Sequence, residues 1–134
     1  MLSNKHKGPL DRGAAAVEMA FVSPLLIAMI IGIIDFSRIF NAEIQLSQAA
    51  REGARLASLG FAYSDVQTRA VLAAPHPAFG GPLLAGNVTQ SGPACTTSSP
   101  SDAVATVQVT YTFQGIFWMN GSTLTQTAVM RCAG

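Results

Sequence analysis

Arg12-Gly13-Ala14-Ala15-Ala16-Val17-Glu18 opens an apolar run that continues, with no further charge, to Ile34. A helix crosses a bilayer with about 20 apolar residues, and residues 14–34 supply roughly that number. A basic head precedes the run and one carboxylate sits at its start. The stretch is expected to anchor the chain in a membrane, and the position of Glu18 points to a second task.

The 134 residues leave room for one small domain besides the anchor. Charged residues make up only 11%, against about 25% in ordinary soluble domains. The formal net charge of +1 gives no general basic field for nucleic acid. Its distribution is uneven. Lys5, Lys7 and Arg12 stand against Asp11 before the run, whereas five basic and six acidic residues follow from Ala14 onward. A positive head stays on the cytoplasmic side, which puts the C-terminal part outside, where thiols oxidise. Cys95 and Cys132 are then expected as an intrachain disulfide, with two free buried thiols as the alternative. Two cysteines without matching His or Cys neighbours are weak evidence for zinc.

Residues 1–13 read as a polar leader. An ordinary signal peptide is cut after its apolar run, at small residues. Here the small cluster Gly13-Ala14-Ala15-Ala16 comes before the run, so cutting there would remove the head and keep the helix. Gly13 followed by Glu18 and an apolar helix resembles the type IV prepilin cleavage site. Further matches narrow the resemblance: Gly13-Ala14-Ala15-Ala16-Val17-Glu18-Met19-Ala20, Pro24-Leu25-Leu26, Gly32-Ile33-Ile34-Asp35 and Ala49-Ala50-Arg51-Glu52-Gly53-Ala54-Arg55. Together they resemble the TadE-like family, pseudopilin-like proteins of the tight-adherence (Flp) pilus. The resemblance implies that a membrane prepilin peptidase cuts between Gly13 and Ala14, making Glu18 the fifth mature residue. It also implies a type IV pilin-like fold, with partners among other pilin or pseudopilin subunits and the inner-membrane assembly platform.

A carboxylate in hydrocarbon costs about 2.5–3.5 kcal/mol, less near an interface. Glu18 lies close to the start of the mature helix, where the dipole and unpaired N–H groups favour negative charge. In a filament it is expected to pair with the free Ala14 amine of a neighbouring subunit and set the axial register. The bland alternative is a carboxylate at headgroup level that touches nothing. Pro24 cannot donate to the Ala20 carbonyl and should kink or loosen the helix.

From Asp35 the pattern turns amphipathic. Phe36, Ile39, Phe40, Leu46, Ala50, Gly53 and Leu56 recur at helical spacing. Asp35–Arg38 and Glu52–Arg55 read as local pairs on a solvated face. Ala49, Gly53 and Ala57 form a small-residue stripe, for another helix or, more commonly, for the domain's own sheet. Gly60 is the natural stop.

Ser64-Asp65-Val66-Gln67 has capping-box spacing, predicting a helix to Ala74 before Pro75. A Pro/Gly/Ala-rich loop follows to Gly86, and His76 within it reads as a solvated loop residue. Val107, Val109, Tyr111 and Phe113 alternate with polar residues over Val104–Phe113, a half-buried strand. Asn120-Gly121 predicts a two-residue hairpin that pairs Met119 with Ser122, Phe113 with Ala128, Tyr111 with Met130 and Val109 with Cys132. Cys95 would reach Cys132 from a third, edge segment near Val88. The Ser/Thr/Pro run 92–102 is a loop, and two glycosylation-type matches, at Asn87 and Asn120, are discounted as short.

The expected fold is α+β: a long N-terminal transmembrane helix packed by a short helix and about three antiparallel strands. Its parts are leader 1–13, membrane helix 14–34, amphipathic extension 35–60 and an outer periplasmic or extracellular domain 61–134. No phosphate loop, His-Glu-x-x-His or Cys-x-x-Cys is present, and no histidine stands where a nucleophile would need it. The chain reads as a substrate for processing and an assembly part, with no catalytic residue, cofactor or metal. Two roles compete. One is a minor pseudopilin that enters or primes an adhesive pilus; the other is a single-pass periplasmic scaffold of the pilus secretion machinery.

Overall fold

The computed structural model describes residues 9–92, 95–100, 102–116 and 119–132. The first eight residues of the expected leader 1–13 therefore lie outside the described part. The element order is α1 (Pro9–Ser58), α2 (Tyr63–Ala73), β1 (Val88–Ser91), β2 (Val104–Thr112) and β3 (Thr123–Arg131). Two short 3-10 turns, Pro77–Phe79 and Ala85–Asn87, lie between α2 and β1. The strands form one antiparallel sheet in the order β1-β2-β3. The architecture is α+β and pilin-like, as the sequence leads one to expect.

Helix α1 has 50 residues, about 75 Å at 1.5 Å per residue. It already includes Pro9 to Gly13, so helix extends upstream of the expected processing point. It also continues through Pro24, which withholds one N–H from the ladder. The segment from Gly13 is long and apolar enough to cross a membrane, and none of its most apolar window is buried by the protein.

The outer half of α1 builds the core. Ala42, Leu46, Ala49, Ala50, Gly53, Ala54 and Ala57 are buried. They recur at three and four residues and so share one stripe. The choice of small residues has a mechanical reason. A Cβ on Gly53 would stand 3.1 Å from a Val107 methyl, 3.5 Å from Ala70 and 3.6 Å from Val66. At this point α1 touches β2 and α2 together, and any side chain larger than a hydrogen would press on the Val107 methyl. The stripe thus serves the domain's own packing. Val66, Ala70, Leu83, Val88, Ala105, Val107, Val109, Tyr111 and Phe113 are among the residues that pack with it in the core.

The buried stripe differs from the expected one at two aromatics. Phe36 and Phe40 are about half exposed and pack on each other edge to face, with ring centroids 4.7 Å apart. Asp35 and Ala42 take the inward positions instead.

α1 ends as its glycine predicts. Gly60 has φ +79°, the Phe61 N–H reaches the Leu56 carbonyl and the Gly60 N–H reaches that of Ala57. These two bonds make a Schellman cap. A side chain at position 60 would also meet the Cys95 carbonyl at 2.7 Å. The cap and the cysteine segment are therefore packed as one unit.

The capping box of α2 does not form. The cap residue is Ala62, without a side-chain bond. Gln67 points away from the helix start and donates to the Ala85 carbonyl at 2.8 Å. It is spent on holding the following loop. α2 ends at Ala73, before Pro75, and His76 is exposed.

The hairpin register is shifted from the predicted one. Tyr111 pairs with Leu124 and Val109 with Gln126, and the Phe113 N–H donates to the Ser122 carbonyl at 2.8 Å. Phe113 was expected opposite Ala128. The slip is an even number of residues, so every side chain keeps its predicted face: Val107 still shares the inner face with Ala128, and Ala105 with Met130. The Asn120-Gly121 turn itself forms, with the Ser122 N–H on the Met119 carbonyl and Gly121 at φ +85°. It does not join the strands directly: the ladder ends at Thr112–Thr123, and the Ile116 N–H turns to Asp35 of α1. Gly115 permits this detour: a Cβ there would lie 2.8 Å from the Asn120 nitrogen.

Cys132 follows β3, and its N–H donates to Ala103. Cys95 comes from the segment after β1. The structure joins them as a disulfide with Cα atoms 5.4 Å apart. The bond links the two edges of the sheet across the start of the central strand, on the side where α1 is capped.

Candidate functional site

Two regions are candidates: the start of the apolar helix, and the line along which the outer domain is fastened to it.

Gly13, Ala14 and Glu18 all lie on α1 and are exposed. Ala14 and Glu18 are four residues apart, hence on one helical face. A Cβ on Gly13 would meet nothing within 4 Å. The fold does not require glycine here, and glycine inside a helix costs about 1 kcal/mol relative to alanine. The reason for Gly13 therefore lies outside the packing of this chain. Beyond Glu18 nearly all large apolar side chains to Ile34 are exposed, Phe21 by 80%. A helix that is apolar all round needs lipid or other helices about it.

The fastening line begins where the apolar run ends. Asp35 is 3% exposed, and its Oδ1 accepts the Ile116 N–H at 2.9 Å. This carboxylate is a buried acceptor for a loop, not part of a solvated pair. One turn on, the Arg38 Nε donates to the Ala78 carbonyl at 3.4 Å, and its guanidinium lies 5.7 Å from the Phe113 ring centroid. Such stacking is worth about 0.5–1 kcal/mol where exposed and more when desolvated. The Tyr111 hydroxyl donates to the Gly81 carbonyl at 3.0 Å, and Gly80 packs so tightly on that hydroxyl that a Cβ would collide with it. Burial pushes the Tyr111 phenol up from its ordinary value, and the nearby Arg38 charge offsets part of that rise. Farther along, Glu52 meets Arg69 of α2 at 3.6 Å on the surface, a cross-helix contact where a pair with Arg55 was expected.

Sequence reasoning missed Asp35 and Arg38 as fastening residues. The signal was present: Asp35, Ala42 and Ala49 are spaced by seven, which puts the acid on the buried stripe. Among the described residues, no group of three or more His, Cys, Asp or Glu is placed to hold a metal ion.

Residues 13–55 match the family model described as TadE-like protein. No curated protein and no solved structure matches the chain. The matched segment runs from Gly13 through the apolar helix and the buried stripe to Arg55, and stops before the sheet. Through that segment, about a third of the chain, the protein is similar to TadE-like proteins, as its motifs lead one to expect.

Proposed function

We propose that the chain is a minor pseudopilin-like subunit that assembles through its N-terminal helix into, or primes, a tight-adherence pilus used in adhesion. The observation that carries this reading is Gly13, a helical glycine that costs stability and packs against nothing, placed directly before Ala14 and five residues before Glu18. A prepilin peptidase cutting after Gly13 gives the residue a purpose that the fold does not.

The mechanism is physical. The inner membrane stores the subunit with its N-terminus cytoplasmic and its domain outside. Cleavage replaces the Gly13–Ala14 peptide bond with a charged amine at the new helix start. Extraction by the assembly platform then exchanges lipid for neighbouring helices around residues 14–34. In that apolar setting Glu18 needs a counter-charge, and the Ala14 amine of an adjacent subunit supplies it. Contacts that do not close into a ring generate a fibre. The chain works by being processed and packed, and no catalytic role is assigned to it.

The second reading, an anchored periplasmic scaffold of the secretion machinery, shares the fold and differs at Gly13. Intact mass and N-terminal sequencing of the protein from its native membrane separate the two. A start at Ala14 is expected. A start at Met1 favours the scaffold, and a start beyond Ile34 would mean a conventional secretory signal and defeat both.

A further inference from the structure

The two edges of the sheet are treated differently. β1 is four residues long. Its outward Val88 carbonyl accepts the Tyr63 hydroxyl at 2.6 Å and the Gln67 amide at 3.4 Å. Both donors belong to α2, which covers that edge. β3 is nine residues long, with no proline and no charge before Arg131. A long edge without such devices is a template for another strand.

The pairing of β3 decides which groups it offers. The Phe113 N–H donates to the Ser122 carbonyl and the Cys132 N–H to that of Ala103. The register between these pairs is unbroken, so the even-numbered residues of β3 bond to β2. The N–H and C=O groups of Thr123, Thr125, Thr127, Val129 and Arg131 therefore point outward. These residues are exposed, and no other described residue bonds to their outward groups. Leu124, Ala128 and Met130 pack on the core from the same strand but are only partly buried.

We infer that this edge pairs with β3 of a second copy, in parallel. Direction selects the arrangement. β2 runs toward the apolar span: Val107 lies at Gly53, Phe113 at Arg38 and Ile116 at Asp35. β3 is antiparallel to β2 and so runs away from the span. Copies anchored in one membrane point β3 the same way, which excludes an antiparallel pair between them. Their spans also set both edges at one height. Odd-numbered groups on both strands meet in a parallel pair with a stagger of one residue, about 3.3 Å. The second copy is then turned about the strand axis, so the two α1 helices lie on opposite faces of the joined sheet. The two Arg131 side chains also fall on opposite faces. Each copy's α2 closes the far edge, so the pair does not grow into a longer sheet. It would hold two subunits side by side before extraction and cover the open flank of Leu124, Ala128 and Met130. The inference rests on residues 14–34 spanning a membrane.

The full chain is reconstituted in phosphatidylcholine/phosphatidylglycerol vesicles. Thr127→Cys and Gln126→Cys are made as separate proteins and mixed, because positions 127 and 126 of neighbouring copies share a face in the staggered pair. Oxidation should give a covalent dimer from the mixture and little from either protein alone. Thr125→Pro, added to both, withdraws an outward N–H and no bond to β2. It should leave the thermal midpoint of the domain in place and cut the dimer yield about tenfold. A dimer from Thr127→Cys alone would mean an antiparallel edge and overturn the inference. A mixture that floats with the vesicles and yields no dimer would overturn it too, as would a yield that Thr125→Pro leaves unchanged. A protein that does not float would remove the span, and the argument from direction with it. A failed dimer in a protein that floats leaves the reading of Gly13 standing, so the two are tested apart.

Discussion

The two halves of α1 follow different rules. Residues 14–34 are apolar on all sides and touch little of their own chain, whereas residues 35–58 are apolar on one stripe and carry the outer domain on it. One continuous helix is therefore two objects. Its outer half is stabilised by tertiary packing inside the chain. Its inner half leaves its apolar surface uncovered by its own chain. Glycine marks the difference: a Cβ on Gly53 would press on Val107 at 3.1 Å, and one on Gly13 would meet nothing within 4 Å.

The largest test of this division is the disulfide. Closing the 37-residue separation between Cys95 and Cys132 should be worth about 4 kcal/mol through the unfolded chain. Cys95→Ser with Cys132→Ser should lower the thermal midpoint of the outer domain in detergent, while membrane insertion of α1, followed by flotation, stays unchanged. Loss of insertion would mean that the halves are not separable. Next comes a matched pair of substitutions. Gly53→Leu forces a side chain between α1, α2 and β2 and should destabilise by about 3 kcal/mol. Ala20→Leu on the inner half should change the outer domain's unfolding by less than about 0.5 kcal/mol. Equal effects would erase the contrast.

Smaller effects sharpen it at the ends of the fastening line. Gly60→Ala puts a side chain in the left-handed region and against the Cys95 carbonyl, and should cost about 1–2 kcal/mol. Tyr111→Phe removes the bond to Gly81 and should cost about 1 kcal/mol. It should also alter the alkaline limb. The folded Tyr111 phenol titrates above its unfolded value near 10.0. Its contribution is therefore fully present below that value and is lost as pH rises through the folded one. The phenylalanine variant should show a shallower loss of stability above pH 10 in chemical denaturation. An unchanged slope would mean that the hydroxyl is not held as described.

What the sequence disclosed and what it hid follow from the range of the forces involved. Local and periodic features were legible: the apolar run, the stop at Gly60, the alternation over Val104–Thr112, and the break before Pro75. The hidden features depend on contacts between distant segments. Asn120-Gly121 is a strong turn signal and does form a turn. No local rule says that Ile116, 81 residues from Asp35, would bond to it. Gln67 has the spacing of a cap, but the loop carbonyl of Ala85 competes for its amide. Phe36 and Phe40 fit the periodicity, yet an acid took the inward position because a loop N–H needed it. The region around Gly13 differs again: no described contact of the fold bears on the pattern there.

The measurement that bears most directly on the account is the Glu18→Ala substitution, read in two ways in cells that make the pilus. N-terminal sequencing should still find a start at Ala14, since the cut lies before the altered residue. The sheared surface fraction should lose the subunit and its fibres, because the freed amine then has no acid to meet. Fibres of normal yield carrying the alanine variant would contradict the pairing and the assembly role built on it.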